Sequence, residues 1–309
     1  MALQRAVREK MKVPILLMGA SGAGKTVGAL LIAKGIVWNM FPDLPDHDKW
    51  GKIAVIDTEH KRSTLYAGME IKDQEIGSFL VYDLVEPYTS ERYENAFNEC
   101  KRAGAEVIIV DSITHAWNGS GGILEEVDKL GGRFSDWSKV RPKEKQFLEL
   151  FLDNSVHVIA TVRSKQGYEV TRNDSGKIDV EKVGLKIEQK DSLEYEFAMS
   201  FQLYHNHMAE AMKDNSNSFE GRFTITEDTG RKIYQWAEEG IDIRAIERQA
   251  KRDAIERIET LAQTSDAHQE LLDGIRFKMK NIPLESFNQV ALDRCVELLE
   301  GLDDGLPTV

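Results

Sequence analysis

The stretch "GASGAGKT" (19–26) meets the pattern G-x-x-x-x-G-K-[ST] at every fixed position. Gly19, Ala20, Ser21, Gly22, Ala23 and Gly24 are small enough for their backbone N–H groups to curl around phosphate oxygens. Lys25 brings a point charge to the β- and γ-phosphates, and Thr26 offers a hydroxyl to Mg²⁺. Asp111 closes "VIIVD", four apolar residues and then an acid, the form of the carboxylate that organises the metal opposite such a loop. The other reading of Asp111 is an N-cap for the next helix. Glu59 lies in "IDTEH" (56–60), just past another apolar run. It can hold a water against the γ-phosphate, or be a solvated loop acid, and spacing alone leaves both open.

These residues need strands to end where they stand. "VPILLM" (13–18) breaks at Gly19 and predicts a buried strand, followed by a helix over "KTVGALLIAKGIVWNM" (25–40) that stops before Pro42. "PDLPDHDKWG" (42–51) reads as a loop. "KIAVID" (52–57), "FLVYDL" (79–84), "EVIIVDS" (106–112) and "VHVIATV" (156–162) follow as strands. Helices lie between them, one capped by Ser90 and ending near Gly104. Strands alternating with helices predict an α/β fold, a mostly parallel sheet covered on both faces. "EYEFAMSFQLYH" (194–205), "MAEAMK" (208–213) and "RFTIT" (222–226) have short links and predict an antiparallel extension.

From Ile241 on, helix formers dominate. Ile243, Ile246, Ala250, Ala254, Ile255, Ile258 and Leu261 make one apolar stripe, and two more helices flank Asn281-Ile282-Pro283. The expected organisation is an N-terminal segment 1–12, an ATPase-type domain 13–240 and a small helical domain 241–309 in which acids outnumber bases.

With 41% apolar and 30% charged residues the chain is an ordinary globular one. It lacks an apolar run of the ~18 residues that span a bilayer, and its start, "MALQRAVREKMK", lacks a signal-peptide core. Two cysteines far apart, Cys100 and Cys295, suit neither a disulfide framework nor a thiolate zinc site, so a cytoplasmic setting is expected. His115, His157, His205 and His207 show no metal-ligand spacing, and no nucleophile triad is visible. A net charge of −12 argues against a surface that coats nucleic acid throughout, so any track must be local.

"VIDTEHKRSTLY" (55–66) resembles the core of the RecA recombinases: a strand-end Ile-Asp, then Glu-His, then a tyrosine seven residues after the glutamate. The resemblance implies that Glu59 activates water and that Tyr66 stacks on adenine. "IIVDS" (108–112) is similar to the metal-binding strand of that family. More specifically the chain resembles phage-type RecA-like ATPases of the AAA family associated with single-strand annealing. The matching stretches are "DSITHAW" (111–117), "VIATVRSKQGYEV" (158–170), "KVGLKIEQKDSLEYEF" (182–197) and Trp236. The likeness covers about residues 13 to 240. Where RecA has an amide that senses the γ-phosphate, this chain has Arg163. Where the family often has Lys-Asp-Arg, it has Lys213-Asp214-Asn215, so Lys213 is the remaining basic residue for a neighbouring subunit's site.

Two stretches are locally basic. Residues 129–145 hold Arg141 and Lys143 among other cations, with Trp137 between; residues 163–177 hold Arg163, Lys165, Arg172 and Lys177 around Tyr168. Cations along a backbone with an aromatic platform suit single-stranded nucleic acid, and solvated charged faces are the bland reading of both. The second stretch lies where RecA-like proteins carry a DNA-binding loop.

The reading is a RecA-like ATPase using ATP and Mg²⁺. It is expected to bind single-stranded DNA and promote strand annealing or homologous recombination as a ring or filament, with a single-strand DNA-binding protein as a candidate partner. The rivals are an ATPase that loads or remodels a replication protein, and a nucleotide switch whose tail recruits a partner.

Overall fold

The computed structural model describes residues 5–71, 73–152, 155–172, 178–190 and 193–303, and only the backbone within 166–185. The chain divides into two compact units: Met11–Glu239, and the two chain ends up to Lys10 and from Gly240.

In the larger unit the strands are β1 (Pro14–Gly19), β2 (Ile53–Asp57), β3 (Met69–Ile71), β4 (Gln74–Ile76), β5 (Leu80–Asp83), β6 (Val107–Asp111), β7 (His157–Arg172), β8 (Ile178–Ile187), β9 (Met199–Leu203), β10 (Met208–Asp214) and β11 (Arg222–Thr224). The helices are α1 (Lys25–Met40), α2 (Asp46–Trp50), α3 (Ser90–Arg102), α4 (Thr114–Asn118), α5 (Ile123–Lys129), α6 (Trp137–Leu152) and α7 (Glu227–Ala237).

The main sheet runs β11-β10-β9-β1-β7-β6-β2-β5, with β8 paired to β7. β9, β1, β7, β6, β2 and β5 are parallel, and β10, β11 and β8 add antiparallel pairs. The extension expected from the sequence is present, although its first strand, β9, joins β1 in parallel. Alternation along the central strands explains the two cores, because successive side chains point to opposite faces. Ile15, Leu17, Val55 and Ile109 face the cluster under α1 and α7, while Leu16, Met18, Ile56 and Val110 face Tyr93, Phe97, Phe147 and Phe151 of α3 and α6. Strands buried on both faces must be apolar throughout, which is why they read as short unbroken runs.

α1 and α7 approach backbone to backbone. A Cβ on Gly35 would lie 2.0 Å from the Glu227 carbonyl, and one on Gly230 would lie 2.0 Å from the Ile32 carbonyl. Only glycine fits at either position, and the contact fixes the start of α7 beside the phosphate-loop helix.

Several elements differ from expectation. Thr89, not Ser90, is the N-cap of α3, accepting from the Arg92 N–H at 3.4 Å. The 42–51 loop contains the short helix α2. β7 does not stop near 162 but runs on to Arg172, where β8 pairs back on it as a hairpin.

In the smaller unit α8 (Ile243–Ala262), α9 (Asp266–Lys278) and α10 (Gln289–Asp303) enclose Ile258, Leu261, Leu272, Leu292 and Leu299. That core covers only the second half of the α8 stripe, and Ile246 is 55% exposed. Residue Glu9 forms a parallel bridge with Ile241.

Candidate active site

Sheet register gathers the site. Gly19 pairs with Arg163 across β1 and β7, Asp57 pairs with Asp111 across β2 and β6, and Val110 pairs with Ala160 across β6 and β7, so these residues fall within two positions of one another along the same end of the parallel strands. Ligands of open α/β sheets bind at such carboxyl ends.

Gly22 and Gly24 take positive φ, 81° and 93°, which lets the loop fold back on itself. Lys25 is 9% exposed, and its Nζ donates to the carbonyls of Gly19 (2.8 Å) and Ala20 (2.9 Å). Burial pushes its ammonium below the ordinary lysine range, against the pull of Asp111 and Glu59. The loop therefore keeps a poorly hydrated cation at the start of α1, whose unpaired N–H groups add positive potential.

Asp111 is held by hydroxyls on both sides: Thr26 Oγ1 donates to Oδ2 and Thr161 Oγ1 to Oδ1, each at 2.5 Å. Burial pushes its carboxyl up, and the two hydroxyls offset this only in part. Thr26 and Asp111 thus set two hard oxygens side by side. That donor set fits a Mg²⁺ ion, which keeps water and phosphate oxygens as its other ligands. The described residues contain no cluster of three His, Cys, Asp or Glu that could hold a metal ion by themselves.

Glu59 follows β2 on a loop held by Asp57, a residue whose role the sequence reading left unassigned. The fully buried Asp57 carboxylate accepts from the Glu59 N–H (2.8 Å), the Lys61 N–H (3.2 Å), the Ser63 N–H (2.9 Å) and the Ser63 hydroxyl. An aspartate at a strand end capping its own following residues is the signal that could have found it. Glu59 then meets Arg163 in a two-pronged pair: Nε donates to Oε1 at 3.1 Å and a terminal nitrogen donates to Oε2. Ser112 donates to Oε1 at 3.1 Å. Burial pushes the Glu59 carboxyl up, but the hydrogen bond and charge of Arg163, with His115 and Ser112, bring it below its ordinary value. Burial lowers His115, whose Nδ1 lies 2.8 Å from the Thr58 hydroxyl. The Arg163 backbone N–H donates to Thr114 Oγ1 at 3.0 Å.

The cleft above these groups has a volume of about 570 Å³ and takes in the phosphate loop from Ser21 to Thr26, Glu59, Asp111 and Arg163. Tyr66, at the end of a 3₁₀ turn, also lines it and packs against the core beneath. Lys213 lies outside the cleft, half-buried on β10, donating to the Tyr195 carbonyl at 2.7 Å.

The basic stretches differ. Around Arg141 the cations meet nearby acids: Lys129 with Glu125, Lys139 with Asp136, Lys143 with Glu126 and Lys145 with Glu149. Trp137 is half-buried against Trp117, the ring centres 5.8 Å apart. On the hairpin Lys165 is exposed and pairs with Glu188 at 3.6 Å. The side chains of Tyr168 and Arg172, and all of Lys177, lie outside the described residues.

Together the strand order, the loop and the two acids define an α/β core with a phosphate loop at the ends of its parallel strands. A family model described as an AAA domain matches residues 11–239, and the chain belongs to that family. Among solved structures it is similar to a crystal structure of the RadB recombinase, at 16% identity and a TM-score of 0.40, covering 72% of this chain and 90% of that one. No curated protein matches it. None of the described helices is long and apolar enough to cross a membrane.

Proposed function

We propose that the protein hydrolyses ATP with Mg²⁺ and couples nucleotide binding to single-stranded DNA, promoting annealing or recombination as an oligomer. The observation that carries the reading is the pairing of Glu59 with Arg163 at the mouth of a complete phosphate loop. Lys25 and the loop N–H groups hold the β- and γ-phosphates. Thr26 and Asp111 hold Mg²⁺, which neutralises charge on the phosphate oxygens when bound. The γ-phosphate draws the Arg163 guanidinium away from Glu59. The carboxylate, now buried without its cation, becomes a stronger base. It takes a proton from the attacking water as the water oxygen bonds to the γ-phosphorus and the bond to the bridging oxygen of ADP breaks. Tyr66 packs against the base. Lys213, on β10, contributes to a neighbouring subunit's site.

DNA is assigned to the β7–β8 hairpin, with Lys165, Tyr168, Arg172 and Lys177 along it, in preference to Arg141 and Lys143 on the face whose cations are largely neutralised. Arg163 stands on the same strand that carries the hairpin, so a strand bound there and the cation that pairs with Glu59 share one element. The test is ATP turnover with and without single-stranded DNA at two salt concentrations. Turnover that rises with DNA, and binding that weakens with salt through counterion release, is expected. Unchanged turnover with no DNA binding would favour a loader or a nucleotide switch.

A further inference from the structure

The cleft also has apolar lining. Val27, Leu31, Tyr66, Ile71, Leu203 and Ile225 belong to it, a surface suited to a flat apolar group and unsuited to phosphate. A site of this kind takes its specificity from the few polar groups set among the apolar ones. Beside the charged Arg62, Gln74 is a long neutral polar side chain in the same lining. It stands at the start of β4, in the small β3–β4 sheet.

One end of its amide is already committed. The first N–H groups of a helix have no partner within the helix, and the N–H of Glu227, the first residue of α7, donates to Gln74 Oε1 at 3.2 Å. An N–H can meet only the carbonyl end of an amide, so the orientation of the Gln74 side chain is fixed by the helix and not by solvent. α7 is itself pinned, since Gly230 lies against the backbone of α1 and Glu227 pairs with Lys34 of α1 at 3.0 Å. The amino end, Nε2, has no hydrogen-bond partner among the described residues.

We infer that Gln74 is a base-reading residue: with Oε1 held by α7, its Nε2 donates to a ring nitrogen of a purine base lodged beside Tyr66. The inference rests on the nucleotide reading of the cleft. It makes the cleft a donor toward the base, selecting an edge that accepts, and it ties base recognition to the position of α7. A helix-capping role alone would satisfy Glu227 and leave the bound base indifferent to Gln74.

Deleting single ring nitrogens from the nucleotide separates the two. Affinities of the protein for Mg²⁺-ATP and for its 1-deaza, 3-deaza and 7-deaza forms would be measured beside those of Gln74→Glu. That variant keeps an acceptor for the Glu227 N–H, where a carboxylate is welcome at a helix start, but removes the donor. One deaza form should bind the parent about 3- to 10-fold more weakly than ATP, the worth of one neutral hydrogen bond. In Gln74→Glu that difference should vanish or reverse, the signature of coupling between the two partners. Equal affinities for all four nucleotides in the parent, or a loss that persists undiminished in Gln74→Glu, would overturn the inference while leaving nucleotide binding intact. Failure of the parent to bind ATP itself would overturn the reading of the cleft, and the inference with it.

Discussion

Asp111 and Glu59 lie at the ends of neighbouring parallel strands, two residues out of step, yet their surroundings shift them in opposite directions. Asp111 is enclosed, its two oxygens met by the neutral hydroxyls of Thr26 and Thr161, and burial pushes its carboxyl up. Glu59 stands at the cleft mouth, met by a guanidinium that outweighs its burial, and sits low. Environment, more than residue type, sorts acids into roles. The enclosed acid with aligned hard oxygens suits a metal. The one whose cation is 39% exposed suits proton transfer. In the proposed mechanism, a base that gains strength only after Arg163 leaves waits for the phosphate.

The comparison breaks most completely if the cation facing both acids is removed. Lys25→Ala should weaken ATP binding by about 100-fold or more, given roughly 1.5–3 kcal/mol for each hydrogen bond to a charged group. Calorimetry with a non-hydrolysable ATP analogue checks it.

Asp111→Asn should cost about 10- to 100-fold in nucleotide affinity measured with Mg²⁺, and little with EDTA present. An equal loss with and without the metal would show that Asp111 acts on the loop and not on Mg²⁺.

Asp57→Asn probes the loop that carries Glu59. An amide cannot accept at both ends, so at least one of the Ser63 and Glu59 contacts is lost. Turnover should fall about 10-fold, the worth of a hydrogen bond or two, with ATP affinity unchanged. Equal turnover would show that Asp57 is structural only.

Arg163→Ala sharpens the comparison through pH. Arg163 supplies the main lowering influence on Glu59, and burial, which raises it, remains when the guanidinium is gone. The carboxyl must therefore rise in the free enzyme, and since only the ionised form accepts a proton, the acid limb of the kcat/KM profile, which reports the free enzyme, should move to higher pH. A limb that stays in place would show that Arg163 does not set the state of Glu59.

Much of this arrangement was legible in the sequence because it rests on local rules. The phosphate loop is contiguous, and strands buried on both faces announce themselves as apolar runs ending in Gly19, Asp57 and Asp111. What escaped depends on partners far along the chain. Thr161 becomes an Asp111 partner only through the β6–β7 register, and Gln74 meets Glu227 across 153 positions. The hairpin was hidden because pairing outside the core needs no apolar pattern, and β3 and β4, three residues each, are too short for alternation to show. Asp57 was visible as a residue but not as a cap, since its four donors are its own neighbours and the same letters would suit a solvated turn.

The central claim is that Glu59 is the base, and Glu59→Gln tests it most directly. The amide keeps the shape and the contact with Ser112 but is a far poorer proton acceptor. ATP turnover and ATP affinity would be measured on one preparation. Turnover lower by roughly 10²- to 10⁴-fold, the contribution of a general base, with affinity preserved, is the predicted result. Turnover at the parent rate would show that Glu59 is a bystander and that its pairing with Arg163 serves the fold alone.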